Sequence, residues 1–493
     1  MERRTDRYWA IAVCVAIAAA LRFVDLARES LWIDEIYSVA MTRWPLDVIV
    51  HVQDGHPPLF ALLHVLVAQW IDADLAGRLI AATAGVLGVG LLVQLATELW
   101  DVRTGFVAGL LLAASPLHVW YSREGRSYAL VVLIAIAASM ALVRAVRGAG
   151  RPAWFVFALC SVCGIFTHYL YAGLILAQVI FLASAGGQGR LLATIAAVAA
   201  IGAASVPMFG PEATSFVGDQ RGFEWLALPY AAFTYVVGFG LGPSVAALHQ
   251  HRGLTALVGE SPEIIVVGAI ALALLVALPA ALRRAGRFGS YILLWATVPI
   301  VVVFAGSWAR NGAFNVRYTL PALPGVVLCF ALVLTAGSRR RLWVGLAVLL
   351  ALSATSIARD RLDETRVRED VRSAALYLDA HAAATDRVVV SARYMDLGVG
   401  HYYRGGATLE ALPVRPIRSP QDAAQNLSDL RASRPTWLVL VRAWEDDPAG
   451  YLDAALGTVE GGAPPARPVA TFPGVRIYRL GSRLGSRLGS PDS

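Results

Sequence analysis

Five short clusters in this 493-residue chain bring carboxylates, imidazoles, guanidiniums and phenols to spacings that could do chemistry. Asp34 and Glu35 adjoin in SLWIDEIYS, and Asp54 and His56 flank a glycine just before Pro57-Pro58. Arg123, Glu124, Arg126 and Tyr128 lie together in YSREGRSY, followed by His168-Tyr169 and by Arg317-Tyr318 at the end of SWARNGAFNVRY. A carboxylate within hydrogen-bond reach suits the removal of a proton from a hydroxyl. The guanidinium fork, with its fixed charge, suits a phosphate. Each cluster also has an ordinary reading. Asp34-Glu35 can be a solvated pair, His56 a helix cap and His168 a structural hydrogen-bonder. Arg123 and Glu124 can pair with each other, and Arg317-Tyr318 can anchor a helix at an interface. The conjunction carries more than any member.

These residues must be held by elements made for a bilayer. Hydrophobic residues make up 57% of the chain and charged residues 16%, against about one quarter charged in an ordinary soluble domain. Apolar runs of roughly 17 to 25 residues, enough for a helix to cross about 30 Å of hydrocarbon, recur from Tyr8 to Ile357. They place helices at 8–21, 78–99, 104–119, 127–146, 152–167, 170–184, 191–208, 263–282, 289–306, 318–337 and 342–357, about eleven spans. Pro57 to Trp70 and Leu226 to Leu241 are shorter and are expected to be juxtamembrane or partly inserted helices. The basic start MERRTDR before the first run has the form of a signal peptide, with Ala18 to Ala20 as cleavage site, but a retained first helix is preferred. Positive charge then holds Arg3, Arg4 and Arg7 in the cytoplasm. Alternation makes loops 101–104, 144–151, 185–190, 283–287 and 338–341 cytoplasmic, and every one contains arginine. The five clusters consequently face the extracytoplasmic side of a plasma membrane. Ionisable groups gathered at helix ends on one face mark a functional site, because they are costly at membrane depth.

From Arg359 to Tyr478 the composition becomes mixed, with a helical pattern at Val371 to His381 and strand patterns at Arg387 to Ser391, Trp437 to Arg442 and Arg476 to Tyr478. The expected organisation is a membrane module over 1–357, with a catalytic first external loop at 25–56, and a small extracytoplasmic α/β domain over 358–478. The repeated RLGS units of 479–493 cannot build a core and are expected to be disordered. The net charge of +7 sits largely in short loops where it sets orientation, and no stripe of arginine and aromatics marks the soluble part, so nucleic acid is excluded as a partner. Cys14, Cys160, Cys163 and Cys329 all lie in apolar segments. A single C-x2-C without a second pair or histidines reads as helix packing. No metal or cofactor is expected.

Spread in order over residues 21 to 324, the motifs LRFVDLARESLWIDEIYS, DGHPPLFALLH, SPLHVWYSREGRSYAL, THYLYAG and NVRYTLPALP resemble the GT-C superfamily of membrane glycosyltransferases. The resemblance is to the branch of protein O-mannosyltransferases and aminoarabinose transferases, glycosyltransferase family 39-like. It implies a mainly α, polytopic transmembrane fold and an inverting transfer of sugar from a polyprenyl- or dolichyl-phosphate donor to a glycan, lipid or protein acceptor. It implies Asp34 as general base, with Glu35 and Asp54 as further carboxylates of the catalytic loop. Donor binding is implied for Arg126 and Tyr128, and with them for His56, Arg123, Glu124, His168, Tyr169, Arg317 and Tyr318. SREGR stands where oligosaccharyltransferase-like members carry a paired acidic metal motif, so no metal is assigned, although Glu124 with Asp34 would offer hard oxygen ligands. The long β-rich insertion of protein O-mannosyltransferases is absent, so a folded protein acceptor is not implied. A transporter is the competing class, but it would place ionisable residues near the midplane on repeated, broken helices. A non-catalytic scaffold is the other, and it predicts that Asp34→Asn changes nothing.

Overall fold

Apolar runs in a bilayer must satisfy their backbone polar groups internally, and in a computed structural model of the chain they are helices. The structure describes all residues except 1, 52–56, 185–224, 226, 243–262, 313, 364–367, 413–416, 433, 458–465 and 481–493. The expected helix 191–208 and the repeat tail 479–493 fall wholly or almost wholly outside the described residues. Packing divides the chain into a membrane unit of residues 1–26, 37–244 and 253–360, and a second unit of residues 27–36, 245–252 and 361–493. The segment Ala27–Ile36, expected within the membrane module, therefore packs as part of the second unit.

The first ten helices are α1 (Glu2–Phe23), α2 (Ile33–Met41), α3 (Leu46–His51), α4 (Leu59–Ala68), α5 (Ala73–Leu99), α6 (Val102–Ala114), α7 (Pro116–Ser122), α8 (Tyr128–Val146), α9 (Gly150–Thr167) and α10 (Ala172–Ser184). Among the described residues, α5, α8, α9, Glu263–Arg284, Arg287–Ala309, Val316–Ala336 and Arg339–Leu362 are long and apolar enough to cross a membrane. The pair α6 and α7, bent by 59° at a break, makes an eighth. The protein is thus a mainly helical, multi-pass membrane protein. Of the remaining expected spans, the one at 170–184 is a shorter apolar helix, Tyr169–Ser184, and the first is α1, which carries Asp6, Arg7 and Arg22. The two short stretches are the helices Leu59–Ala68 and Ala227–Val237. Helix starts follow local rules: Asp72 accepts from the amides of Asp74 and Leu75, and Asp101 from that of Thr104. Because lipid is as apolar as leucine, helices here associate through close packing of small residues. Gly109 of α6 meets Val93 of α5 and Cys14 of α1, so a side chain at that position would have no room.

The break between α6 and α7 has a chemical cause. Pro116 has no N–H, so Leu112 loses its helical donor. Arg22, fully buried at the end of α1, fills the gap: its guanidinium donates to Leu112 O at 3.3 Å, Ala113 O at 3.0 Å and Ala18 O at 3.2 Å, and to His118 Nδ1 at 2.8 Å. Ser115 restarts the helix by accepting from the His118 amide.

The second unit is built on a five-stranded sheet of β1 (Arg387–Ser391), β2 (Thr408–Ala411), β3 (Thr436–Val441), β4 (Ala470–Phe472) and β5 (Val475–Leu480), in the order β2-β1-β3-β5-β4. β1 pairs in parallel with both β2 and β3, with Arg387 opposite Thr408 and Thr436, whereas β5 runs antiparallel to β3 and β4. TWLVLV is buried along its whole length, as a central strand covered on both faces must be. The helix Val371–His381, capped by the Asp370 side chain on the Ser373 amide, buries Val371, Ala374, Ala375 and Leu378 with residues of β1 and β3.

Candidate functional site

In the membrane unit, α8 begins directly after the turn 123–127, and α9 ends directly before His168. This places Tyr128, first residue of α8, 5.8 Å from the His168 ring, and the Tyr318 ring 5.9 Å from His168 on its other contact. Tyr121 meets Tyr128 edge-on at 5.0 Å. Arg317, in the 3₁₀ turn Val316–Ala322 that Asn315 caps, donates to the Tyr318 hydroxyl at 3.2 Å and lies 5.1 Å from that ring. Arg126, buried, donates to Ser38 Oγ at 2.9 Å. His168 accepts the Leu170 amide at Nδ1 (3.2 Å), so its neutral form carries the proton on Nε2 and can donate there. Burial, then the charges of Arg317 and Arg126, push His168 down to about 3. The imidazole is neutral at physiological pH and stands in a positive field.

The remaining expected donor-site residues are placed as follows. Arg123 donates to the carbonyl oxygens of Arg22 (3.0 Å), Val24 (2.7 Å) and Asp25 (2.9 Å), closing the end of α1. Arg78 supports the same stretch by donating to Leu26 O at 3.0 Å. Glu124 is fully buried, and its backbone oxygen accepts the Arg126 amide at 2.7 Å. Tyr169 is half-buried in the 3₁₀ turn that follows His168.

In the second unit, Asp34 and Glu35 stand in the first turn of α2. Glu35 is 1% exposed and accepts the Trp32 amide at 2.9 Å, while its own amide donates to Trp32 O at 2.9 Å. This reciprocal pair closes the helix start in the manner of a capping box. Arg368 completes it with an ion pair to Glu35 at 3.2 Å, both side chains under a tenth exposed. Asp34, its neighbour, is half-buried.

The structure therefore brings Arg126, Tyr128, His168, Arg317 and Tyr318 together in the membrane unit, and it holds Asp34 beside an anchored Glu35 in the second unit. Asp54 and His56 lie outside the described residues. Sequence reasoning missed Arg368, Arg442, Arg22 and His118 as members of buried polar clusters. The Arg368–Glu35 pair spans 333 positions, which leaves no local signal, whereas Pro116 with the buried-helix arginine Arg22 was a readable hint. Among the described residues no group of three or more His, Cys, Asp or Glu could hold a metal.

The fold is one shared with solved structures of ArnT and of an archaeal oligosaccharyltransferase. Residues 55–213 match the family model described as dolichyl-phosphate-mannose-protein mannosyltransferase. The structure is similar to ArnT from Cupriavidus metallidurans bound to undecaprenyl phosphate, with a TM-score of 0.56 and 15% identity over 95% of this chain and 97% of that one. Apo ArnT gives a TM-score of 0.59 at 14% identity and the same coverage. The archaeal oligosaccharyltransferase AglB from Archaeoglobus fulgidus, in complex with an inhibitory peptide and a dolichol-phosphate, gives 0.55 at 13% identity over 98% of this chain and 75% of that one. No curated protein sequence matches the chain.

Proposed function

We propose that this protein is a glycosyltransferase that moves a sugar, with inversion, from a polyprenyl- or dolichyl-phosphate donor to an acceptor hydroxyl on the extracytoplasmic face of a cell membrane. The observation that carries this reading is the gathering of Tyr128, Tyr318 and Arg317 around His168, with Arg126 in the turn just before Tyr128. Positive charge attracts a phosphate, and guanidinium forks with phenol and imidazole donors match its oxygens. An apolar cleft supports a lipid-borne phosphate. It is lined by Leu228, Pro229, Ala231, Ala232, Tyr235 and Ile300, and the Tyr235 hydroxyl donates to Thr319 O at 2.7 Å, within the turn that carries Arg317 and Tyr318.

In the step, the acceptor oxygen attacks the anomeric carbon as the bond from that carbon to the phosphate oxygen breaks. Asp34 takes the acceptor proton, and the lipid monophosphate leaves with the bonding electrons. Negative charge grows on the departing phosphate, where Arg126 and Arg317 stabilise it. The family match over 55–213 and the likeness to lipid-phosphate-bound ArnT and AglB favour the same donor class.

The test is transfer of labelled sugar by the purified full-length protein from a panel of polyprenyl-phosphate sugars, alongside glycan analysis of cells. Asp34→Asn is expected to lower transfer by about 10²- to 10⁴-fold, the usual contribution of a positioned base, with the protein still folded in the membrane. Wild-type protein inactive with every donor, together with normal glycans in Asp34→Asn cells, would end the reading.

A further inference from the structure

The second unit holds a segment of the chain's own first loop where α/β sheets ordinarily bind a ligand. β2 lies on one side of β1 and β3 on the other. The connections therefore diverge beyond the carboxyl ends of β1 and β3, and such a switch point opens a crevice. Directly after those ends, the Arg393 amide donates to Asp446 at 2.9 Å and Arg442 donates to the Tyr394 hydroxyl at 3.3 Å. Trp32 lies against this edge, with the guanidiniums of Arg442 and Arg368 at 5.4 and 5.8 Å from its ring. Cations so placed over an indole attract it, the more so when desolvated. Arg442 is itself held by Glu369 at 2.6 Å. The flanking backbone is tied as well: Leu31 donates to the Tyr402 hydroxyl at 2.9 Å, and Arg372 donates to Ala27 O and Glu29 O, each at 3.2 Å.

We propose that Arg368 and Arg442 are positioning residues for Asp34: through Glu35 and Trp32 they fix the helical turn that carries its carboxylate, making the C-terminal unit part of the transfer machinery. The inference rests on the reading of Asp34 as the base. Three links connect cause to effect. Arg368 neutralises Glu35, Glu35 closes the turn on the Trp32 amide, and Trp32 is gripped by both arginines. Asp34 sits between Trp32 and the Glu35 anchor in sequence and has its backbone set by them. A base must be held to within a fraction of an ångström, and a misplacement of about 1 Å can cost on the order of 10²-fold in rate. Without the clamp, residues 27–36 would regain backbone freedom, and the carboxylate would sample many positions.

The experiment combines hydrogen exchange and steady-state kinetics on the full-length protein in detergent, with a polyprenyl-phosphate sugar as donor. Arg368→Gln is expected to speed exchange of the amides from Leu31 to Ile36 by at least about tenfold and to lower kcat by at least about tenfold, with the donor KM within about threefold, because ground-state binding is not what it removes. Arg368→Lys restores part of both, since it keeps the charge but not the fork. Glu35→Gln, which keeps the shape of the side chain, and Arg442→Gln shift both readouts in the same direction. Thermal unfolding and gel filtration confirm that each variant is folded. Unchanged exchange, a loss confined to KM, or Arg368→Lys no better than Arg368→Gln overturns the proposal. Full transfer by Asp34→Asn removes the base reading and the positioning role together. Loss in Asp34→Asn with normal kcat in the clamp variants removes the positioning role alone.

Discussion

Two arginine clusters in this protein serve different ends. Around Trp32, each guanidinium has a carboxylate within reach: Arg368 has Glu35 at 3.2 Å, and Arg442 has Glu369 at 2.6 Å with Glu445 at 3.6 Å. Charge there is balanced inside the fold, and the gain is geometry. Around His168, burial and the positive charges of Arg317 and Arg126 keep the imidazole neutral. Guanidiniums beside a neutral imidazole and phenols suit an anion's oxygens. The first cluster is a scaffold, and the second has the chemistry of a ligand site.

The largest expected effect that sharpens this contrast is in the cluster around His168. Arg126→Ala or Arg317→Ala should lower kcat/KM for a polyprenyl-phosphate sugar by about 10- to 100-fold, since a hydrogen bond to a charged group contributes about 1.5 to 3 kcal/mol. A loss no larger than that of Arg284→Ala, at an exposed arginine that donates to Ala336 O at 2.7 Å, would break the contrast. Arg123→Ala should behave as a structural change, because it removes donors from three carbonyls at the end of α1. It should cost on the order of 1 to 2 kcal/mol in thermal unfolding of the detergent-solubilised protein. A donor KM raised tenfold or more in that variant would move Arg123 to the ligand.

A smaller effect is a pH dependence. His168 titrates near 3 in the folded protein because burial, Arg317 and Arg126 all disfavour its charge, against about 6.5 in an unfolded chain. Between those values the unfolded state binds the extra proton, so the stabilising contribution is complete above about pH 6.5 and declines as pH falls toward 3. His168→Gln should flatten that part of the midpoint-against-pH curve, and an unchanged slope would refute the assignment. Least of all is the surface pair Arg387–Glu410, at 2.6 Å with Glu410 partly exposed. The hydrogen bond from Arg387 holds the Glu410 carboxyl below its ordinary range, so its contribution exists at neutral pH and is lost as pH falls through the lowered value. Glu410→Gln should cost under about 1 kcal/mol, less in high salt, and a larger loss in the same unfolding measurement would show that balanced pairs do more here than hold shape.

Much of the architecture was legible because a bilayer makes backbone bonding local: a run such as Tyr128–Val146 or Arg287–Ala309 must be a helix whatever it packs against. The central strands β1, β3 and β5 were readable for a similar reason, since they are apolar enough to show their burial. β2 and β4 were not, because TLEA and ATF are short edge strands without an apolar pattern. Of the candidate site, the residue types and the helix ends that carry Arg126, Tyr128, His168 and Tyr318 could be read from sequence. Their meeting around one imidazole could not.

By itself, then, the sequence determined that this is a multi-pass helical protein with acidic, basic and aromatic clusters between its apolar runs, because those properties depend on composition and on contacts a few residues apart. Only the tertiary structure decided that Ala27–Ile36 packs with the C-terminal unit, that Glu35 is anchored by an arginine 333 positions away, and that Arg22 repairs the break at Pro116. Those are long-range pairings of buried charge and unsatisfied carbonyls, and they depend on which groups the fold brings within about 3 Å of each other.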